Sequence, residues 1–305
     1  MTATLHSRLR GYAAVMAAAT LWGVSGVVAK VLFNRRIEPW TLVEIRLTAS
    51  FLTLLVILTL RGHPLRVPRD LLGRLVLLGL AMTSAQFTYY LTISLTGVST
   101  ALFLQYTAPV FVALYAWAAK GEAITPLRGG AILLAVTGSY FLVTGGEGIR
   151  IHPLGLLSGC LSAVAFGVYA ILGRGRIQQV GSWTMLLYAL GSGAAAWSLI
   201  VPPWKAYLPA HAPVEWALFG FIVVFATILP FGLFLYGLRH ITSSLASLTA
   251  TLEPVVGSTA AMLMLHEVLG AVQITGGLAI VAAVVLIQVS DLFAARRVVL
   301  PSALD

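Results

Sequence analysis

Ten long apolar stretches follow one another along the chain. Each can be cut to about 18–24 residues, the length that an α-helix needs to cross a hydrocarbon core of about 30 Å. Hydrophobic residues make up 59% of the chain and charged residues only 10%, and runs such as GRLVLLGLAM do not alternate as barrel strands do. The sequence therefore predicts an all-α integral membrane protein with ten transmembrane helices, at 11–33, 39–60, 72–95, 98–119, 126–145, 154–173, 182–202, 214–237, 243–265 and 268–290.

The basic residues predict how the chain lies in the membrane. Although the formal net charge is +9, the Lys and Arg residues are spread over short loops and form no single patch, so they do not favour nucleic acid as a partner. Thirteen lie on one predicted side of the membrane and five on the other, with Arg46 inside a span. By the positive-inside rule, both termini are predicted to be cytoplasmic in a bacterial inner membrane. Membrane lipid is then a partner, and the chain is expected to be a monomer or a homodimer.

Two of the apolar stretches have a proline at their centre, Pro109 in one and Pro254 in the other. When they are aligned on these prolines, VSTALFLQYTAP lies over SSLASLTATLEP, and a shift of 144 residues also places ATLWGVSGVVAK over AVAFGVYAILGR. The chain is therefore predicted to be one five-helix unit used twice, at 1–148 and 149–305. Because five is odd, the second unit must enter the membrane from the opposite side, as in the inverted repeats of many secondary transporters.

This tandem pattern resembles the EamA family of the drug/metabolite transporter superfamily. The motif positions that match are Trp22-Gly23, Pro109-Val110, Glu122, Pro254-Val255 and Glu267. The resemblance covers the chain from about residue 11 to residue 290 and is greatest to exporters of aromatic amino acids. It implies a basket of ten helices around a cavity lined mainly by the first, third and fourth helices of each half, and it implies no cofactor.

The two central prolines are predicted hinges. A proline in mid-span removes one backbone hydrogen bond and bends the helix, so Pro109 and Pro254 could each bend a helix that lines the cavity. The alternative is a packing kink that neighbouring helices accommodate. Glu122 and Glu267, in contrast, come just before new spans and are interpreted as helix caps.

Glu253 places a carboxylate in the middle of the ninth span. On insertion scales, an acidic group at that depth costs about 2.5–3.5 kcal/mol, so it should face protein or water. On a continuous helix it shares one face with Thr249, Gly257 and Ala260. Glu253 is therefore either a coupling or substrate-binding group or a structural acceptor for a neighbouring hydroxyl.

The second span contains two further charges, Glu44 and Arg46. Two residues apart, they point to different faces and should not pair with each other. Arg46 could extend outward to the headgroups, or it could meet a substrate carboxylate while Glu44 accepts an ammonium group or a proton.

Aromatic and neutral polar residues recur at helical spacing on several spans. If these faces converge, they form an aromatic cavity with a few hydrogen-bonding groups, which suits an amphiphilic solute with a flat apolar side chain. Each residue has an alternative role in helix packing or in an interfacial aromatic belt. The candidate cavity residues are Trp22, Ser25, Gln86, Tyr90, Gln105, Tyr106, Phe166, Tyr169 and Thr251.

The sequence predicts a transporter and disfavours an enzyme. All six His residues fall at predicted loops or span ends, the GxSxG motif is absent from the sequence, and no CxxC metal motif occurs, because Cys160 is the one cysteine. The predicted function is export of small metabolites, most of all amino acids with a preference for aromatic ones, by alternating access. The alternatives are an exporter of other amphiphilic metabolites or drugs, and a channel-like facilitator.

Overall fold

Helices account for all the regular structure in the part of the chain that the computed structural model describes, residues 2–96, 98–121, 124–146, 152–265 and 269–297. A 3₁₀-helix at Arg176–Val180 and a π-helical segment at Ile222–Ile228 add to fourteen α-helices. The α-helices are α1 (Thr2–Asn34), α2 (Pro39–Leu60), α3 (Arg69–Thr96), α4 (Val98–Gln105), α5 (Ala108–Lys120), α6 (Pro126–Thr144), α7 (Pro153–Leu172), α8 (Ser182–Ser198), α9 (Pro203–Tyr207), α10 (Pro213–Phe221), α11 (Leu229–Gly237), α12 (Ser243–Ala250), α13 (Glu253–Leu265) and α14 (Ala271–Arg297).

Proline and glycine mark many of the helix ends. Pro39, Pro126 and Pro153 each open a helix, where a missing N–H costs nothing because the first amides of a helix have no internal partner. Helices α5 and α6 are followed directly by Gly121 and Gly145, whose φ angles of 63° and 66° lie in the left-handed region.

Eight helical stretches among the described residues are long and apolar enough to cross a membrane. They match eight of the ten predicted spans. The predicted seventh span is helix α8, which has only 17 residues, and the predicted ninth is divided between α12 and α13. The first helix also begins at Thr2, earlier than the predicted start at residue 11.

Both central prolines follow a break in their helix. In the fourth span, α4 ends at Gln105 and α5 begins at Ala108, directly before Pro109. In the ninth, Thr251 and Leu252 separate α12 from α13, directly before Glu253 and Pro254. The prediction of one continuous ninth-helix face is therefore wrong, because the chain turns tightly where the proline prevents a regular helix.

Each half of the chain packs against the other through equivalent positions. A Cβ atom on Gly23 of α1 would lie 2.7 Å from the carbonyl oxygen of Glu253 and 2.8 Å from the amide of Gly257 in α13. At the repeat-related position, a Cβ on Gly167 of α7 would lie 3.2 Å from a methyl of Val112 in α5. The first helix of each half thus contacts the fourth helix of the other half, where small residues let backbones approach closely.

The fifth and tenth spans, α6 and α14, form a separate glycine contact. A Cβ on Gly138 would lie 2.7 Å from the carbonyl oxygen of Gly276. The predicted caps Glu122 and Glu267, and the predicted boundary between residues 148 and 149, lie outside the described residues. The all-α membrane fold with two repeats is confirmed, and its centre lies where the broken helices meet α1, α2, α3 and α7.

Candidate substrate-binding site

The guanidinium of Arg46 is held inside the helix bundle. It is only 7% exposed, and its Nε donates to the hydroxyl of Thr227 at 2.8 Å. Nη2 donates to the carbonyl oxygen of Ala226 at 2.9 Å, and Nη1 donates to Oε1 of Gln86 at 2.9 Å and to the hydroxyl of Tyr90 at 3.5 Å. Arg46 is thus fixed between α2, α3 and the π-helical segment. The alternative prediction, that its side chain extends outward to the headgroups, is therefore wrong.

The π-helical segment supplies two of these acceptors, and a proline explains why. Pro230 has no N–H, so it cannot donate to the carbonyl oxygen of Ala226, four residues earlier, or to that of Phe225, five residues earlier. Side chains from the first half approach these oxygens: Arg46 donates to Ala226, and the hydroxyl of Ser25, which donates to Leu21 of its own helix at 2.5 Å, also lies 3.4 Å from the oxygen of Phe225. A distorted helix in the second half is therefore completed by α1 and α2.

Arg46 retains donor capacity for a further acceptor. A guanidinium has five N–H donors, and Arg46 uses four, one of them in the long contact with Tyr90. One N–H on Nη2 remains, next to the weakly held N–H on Nη1. A carboxylate could accept from both, in the bidentate geometry that arginine favours.

Glu253 supplies the opposite charge on another side of the site. Its side chain is partly buried at the first residue of α13 and interacts electrostatically with Arg46, although the two form no direct ion pair. The buried hydroxyl of Tyr106 faces the same carboxylate without a hydrogen bond of normal geometry. The site therefore contains one positive and one negative group that do not neutralise each other directly.

Aromatic rings form a wall beside the guanidinium. The ring centroid of Phe231 lies 5.5 Å from Cζ of Arg46 and 4.9 Å from Trp22. Phe166 lies 6.2 Å from Trp22 and 6.3 Å from Tyr169. In the described part of the chain, the indole N–H of Trp22 and the hydroxyl of Tyr169 are buried without a hydrogen-bond partner, so two polar groups interrupt an otherwise apolar wall.

Most of the residues predicted from the sequence lie in this group or beside it. Three of the cavity candidates have other surroundings, and Glu44, described below, is a fourth predicted residue outside the group. The hydroxyl of Thr251 donates to Leu248 in the break between α12 and α13, Ser25 contacts the π-helical segment, and Gln105 ends α4. The predicted residues that converge are Trp22, Arg46, Gln86, Tyr90, Tyr106, Phe166, Tyr169 and Glu253.

Glu44 lies in a different environment from Arg46, as the spacing predicts. Its side chain is fully buried, and one carboxylate oxygen accepts from the hydroxyl of Ser198 in α8 at 3.1 Å. On the same side of α2, the hydroxyl of Thr48 lies 2.7 Å from that of Tyr207 in α9. Burial raises the pKa of Tyr207, and the negative charge of Glu44 adds to this effect. Glu44 is thus a packed carboxylate between α2, α8 and α9, apart from the aromatic wall.

Sequence reasoning missed Thr227 and Phe231. Both lie far along the chain from Arg46, so no local spacing connects them. The one available signal was Pro230 inside the eighth predicted span, because a proline there frees carbonyl oxygens for side chains from other helices.

A model of the EamA-like transporter family matches residues 9–144 and 153–289, which cover both halves of this chain. The chain belongs to the EamA-like transporter family. This EamA-like transporter is 30% identical over 304 residues to the uncharacterized inner membrane transporter YicL of Salmonella typhimurium, a match that covers 96% of this chain and 99% of that protein. It is 26% identical over 238 residues to the threonine/homoserine exporter RhtA of Escherichia coli K12, with 76% of each covered.

A protein of known crystal structure has the same fold as this EamA-like transporter. The TM-score is 0.76 at 19% identity, and the match covers 97% of this chain and 99% of the other. Family membership makes the chain a multi-pass membrane transporter of small molecules and not an enzyme. The resemblance noted from the twin proline motifs is thereby confirmed at the level of the family.

Proposed function

We propose that this EamA-like transporter exports amino acids, with a preference for aromatic ones, by alternating access around the site at Arg46 and Glu253. The observation that carries the proposal is the separation of two opposite charges, the buried Arg46 and the partly buried Glu253, beside an aromatic wall. An amino acid carries the same three elements, a carboxylate, an ammonium group and a side chain, on neighbouring atoms.

The chemistry assigns each part of the substrate to a group of the protein. The carboxylate accepts from Nη1 and Nη2 of Arg46. The ammonium group donates to Glu253, with the hydroxyl of Tyr106 next to it. The side chain then stacks against Trp22 and Phe231, where aromatic pairs contribute about 0.5–1.5 kcal/mol beyond simple burial.

The helix breaks supply a means of movement. Pro109 and Pro254 follow short turns in the fourth and ninth spans, so α5 and α13 can tilt against α4 and α12 at modest cost. Because Glu253 is the first residue of α13, a tilt of α13 moves its carboxylate relative to Arg46. We propose these two breaks as the hinges of alternating access.

A second candidate substrate is a small hydroxylated amino acid. RhtA of Escherichia coli is named as a threonine/homoserine exporter. The same charge pair would hold such a substrate, and the unpartnered polar groups of the wall, Trp22 Nε1 and Tyr169 Oη, would then serve its hydroxyl. The two candidates differ only in the side chain that is recognised.

Counterflow in proteoliposomes tests the proposal. Vesicles containing the purified protein are loaded with an excess of unlabelled phenylalanine, tryptophan or threonine and mixed with the same amino acid, labelled, outside. We expect saturable uptake of the aromatic amino acids and weaker uptake of threonine. Uptake of threonine alone would move the preference to small hydroxylated substrates, and no uptake of any amino acid above protein-free vesicles would refute the proposal.

Variants of Arg46 connect the activity to the site. Arg46→Gln removes a charge-assisted contact of about 1.5–3 kcal/mol, which corresponds to a loss of about 10- to 150-fold in apparent affinity. Arg46→Lys keeps the charge but not the forked geometry, so it should recover only part of the loss. Arg61→Gln, at an exposed position just after the same helix, is the matched control and should transport normally.

A further inference from the structure

A concave pocket of about 460 Å³ lies at the shared end of α7 and α11, away from the Arg46 site. Its lining includes two arginines, two amide side chains and a buried leucine. The lining residues are Arg174, Gly175, Gln178, Gln179, Leu238 and Arg239.

The two arginines of the pocket have no acidic partner among the described residues, whereas the charged side chains next to them already have partners. Arg176 forms an ion pair with Asp70 at 2.9 Å. Arg74 donates to the backbone oxygens of Leu172 and Arg174, at 3.1 and 2.6 Å. The carboxylate of Asp70 is therefore already paired, and Arg74 covers two of the carbonyl groups at the end of α7. The pocket keeps a local excess of positive charge.

A turn in the backbone sends Arg174 and Arg176, which both follow α7, to different places. Gly175 has a φ angle of 94°, a conformation that glycine adopts without strain. The turn sends the chain into the 3₁₀-helix, in which Arg176 reaches Asp70. Arg174 stays at the pocket, opposite Arg239.

The pocket lies where two candidate membrane spans end, the position at which lipid phosphate groups are expected. The membrane-spanning stretches that contain α7 and α11 end at Leu172 and Gly237, and each arginine lies two residues beyond its helix. Both lie on the side of the membrane that is predicted to carry the excess of Lys and Arg. The buried Leu238 adds an apolar surface between them.

We propose that this pocket binds the phosphate group of an anionic phospholipid. Basic pockets between transmembrane helices recognise such headgroups, and each arginine near the surface contributes roughly 1 kcal/mol, or about 5-fold in affinity. Arg174 and Arg239 hold the phosphate oxygens, and the amide group of Gln179 has donors for the polar headgroup, whereas the amide of Gln178 already donates to the carbonyl oxygen of Gly173. The inference does not depend on what the central site transports.

Native mass spectrometry of the full-length protein tests the lipid site. The protein, purified in a mild detergent, is titrated with phosphatidylglycerol or with phosphatidylcholine of the same acyl chains, and the bound lipids are counted. We expect one lipid site that prefers phosphatidylglycerol. The double variant Arg174→Gln/Arg239→Gln should weaken it by about 30-fold, and Arg239→Gln alone by about 5-fold.

Two controls separate the possible outcomes: a pair of arginines outside the pocket and a soluble phosphate compound. Arg61 and Arg66 are exposed on the same predicted side of the membrane but outside the pocket, so Arg61→Gln/Arg66→Gln should leave the site unchanged. An equal loss in that pair, or equal binding of the two lipids, would overturn the inference. Displacement of the lipid by glycerol phosphate at equal concentration would overturn the lipid as ligand and assign the pocket to soluble phosphates.

Discussion

Replacing Thr227 with valine tests whether the π-helical segment orients Arg46 for substrate. The side chain of Thr227 is 1% exposed, and its hydroxyl accepts from Nε of Arg46 at 2.8 Å while donating to the carbonyl oxygen of Ile222 at 3.0 Å. Valine has almost the same shape but cannot make either hydrogen bond. The change therefore removes hydrogen bonds without opening a cavity.

The size of the effect follows from the donor that loses its partner. A buried N–H without an acceptor costs about 1–3 kcal/mol, and more when it belongs to a charged group. Arg46 can reduce this cost by turning Nε toward another acceptor, but that rotation moves Nη1 and Nη2 away from the substrate carboxylate. We expect Thr227→Val to raise the KM for counterflow by about 10-fold, which corresponds to roughly 1.4 kcal/mol, and to lower the thermal stability modestly.

Thr227→Ser is the matched control because it keeps the hydroxyl and loses only a methyl group. It should restore the KM to within about 2- to 3-fold of the unchanged protein, since a threefold change is roughly 0.65 kcal/mol. Both variants should elute as a single species from size exclusion, so that transport is compared between folded proteins. A folded Thr227→Val protein with unchanged KM would refute the reasoning, since Arg46 would then need no orientation by the second half of the chain.

Three further predictions concern a charge, a glycine and a histidine. Glu253→Gln removes the proposed ammonium acceptor, so phenylalanine counterflow should weaken at least 10-fold, roughly 1.4 kcal/mol. Binding of 3-phenylpropionate, which lacks the ammonium group, should weaken much less. Equal losses for the two compounds would contradict the assignment of Glu253. Gly23→Ala places a Cβ 2.7 Å from a backbone oxygen and should cost about 1–3 kcal/mol in a thermal unfolding assay, whereas Gly26→Ala, with no atom within 4 Å of its Cβ, should be neutral. Burial lowers the pKa of His240, and the positive charges of Arg239 and a second arginine lower it further. The folded state therefore binds a proton at His240 less readily than the unfolded chain does, so the free energy of unfolding should decrease as the pH falls below about 6.5. In the His240→Asn variant this decrease should be less steep.

Most of the helical spans could be predicted from the sequence because their causes are local. The length of each apolar run, the repeated proline motifs and the separation of Glu44 from Arg46 on α2 follow from helical geometry, and the structure agrees with them. The break at Thr251 and Leu252 shows the limit of this reasoning. The prediction placed one continuous helix there. Because the helix breaks before Pro254, residues on the two sides of the break do not share the helical faces that were predicted for them.

The acceptors of Arg46 could not be predicted in the same way. Thr227 and Ala226 lie about 180 residues further along the chain, and only packing of the two halves brings them to α2. The carbonyl oxygen of Ala226 is available because Pro230 lacks an N–H, a consequence readable from the sequence only if the partner helix is already known. Polar contacts between repeats therefore need the tertiary structure, although the residues that make them are conspicuous in the apolar spans.

The reciprocal glycine contacts between the halves also govern the order in which the protein can be assembled. Gly23 packs against Glu253 and Gly257, so the partner of the first helix is synthesised about 230 residues later, roughly 10–50 s at usual rates of translation. During that interval α1 lies in the bilayer without its partner, and Arg46 lies there without the two acceptors from the second half. Nascent chains of this protein thus pass through a long-lived half-assembled state, in which membrane chaperones and proteases can act.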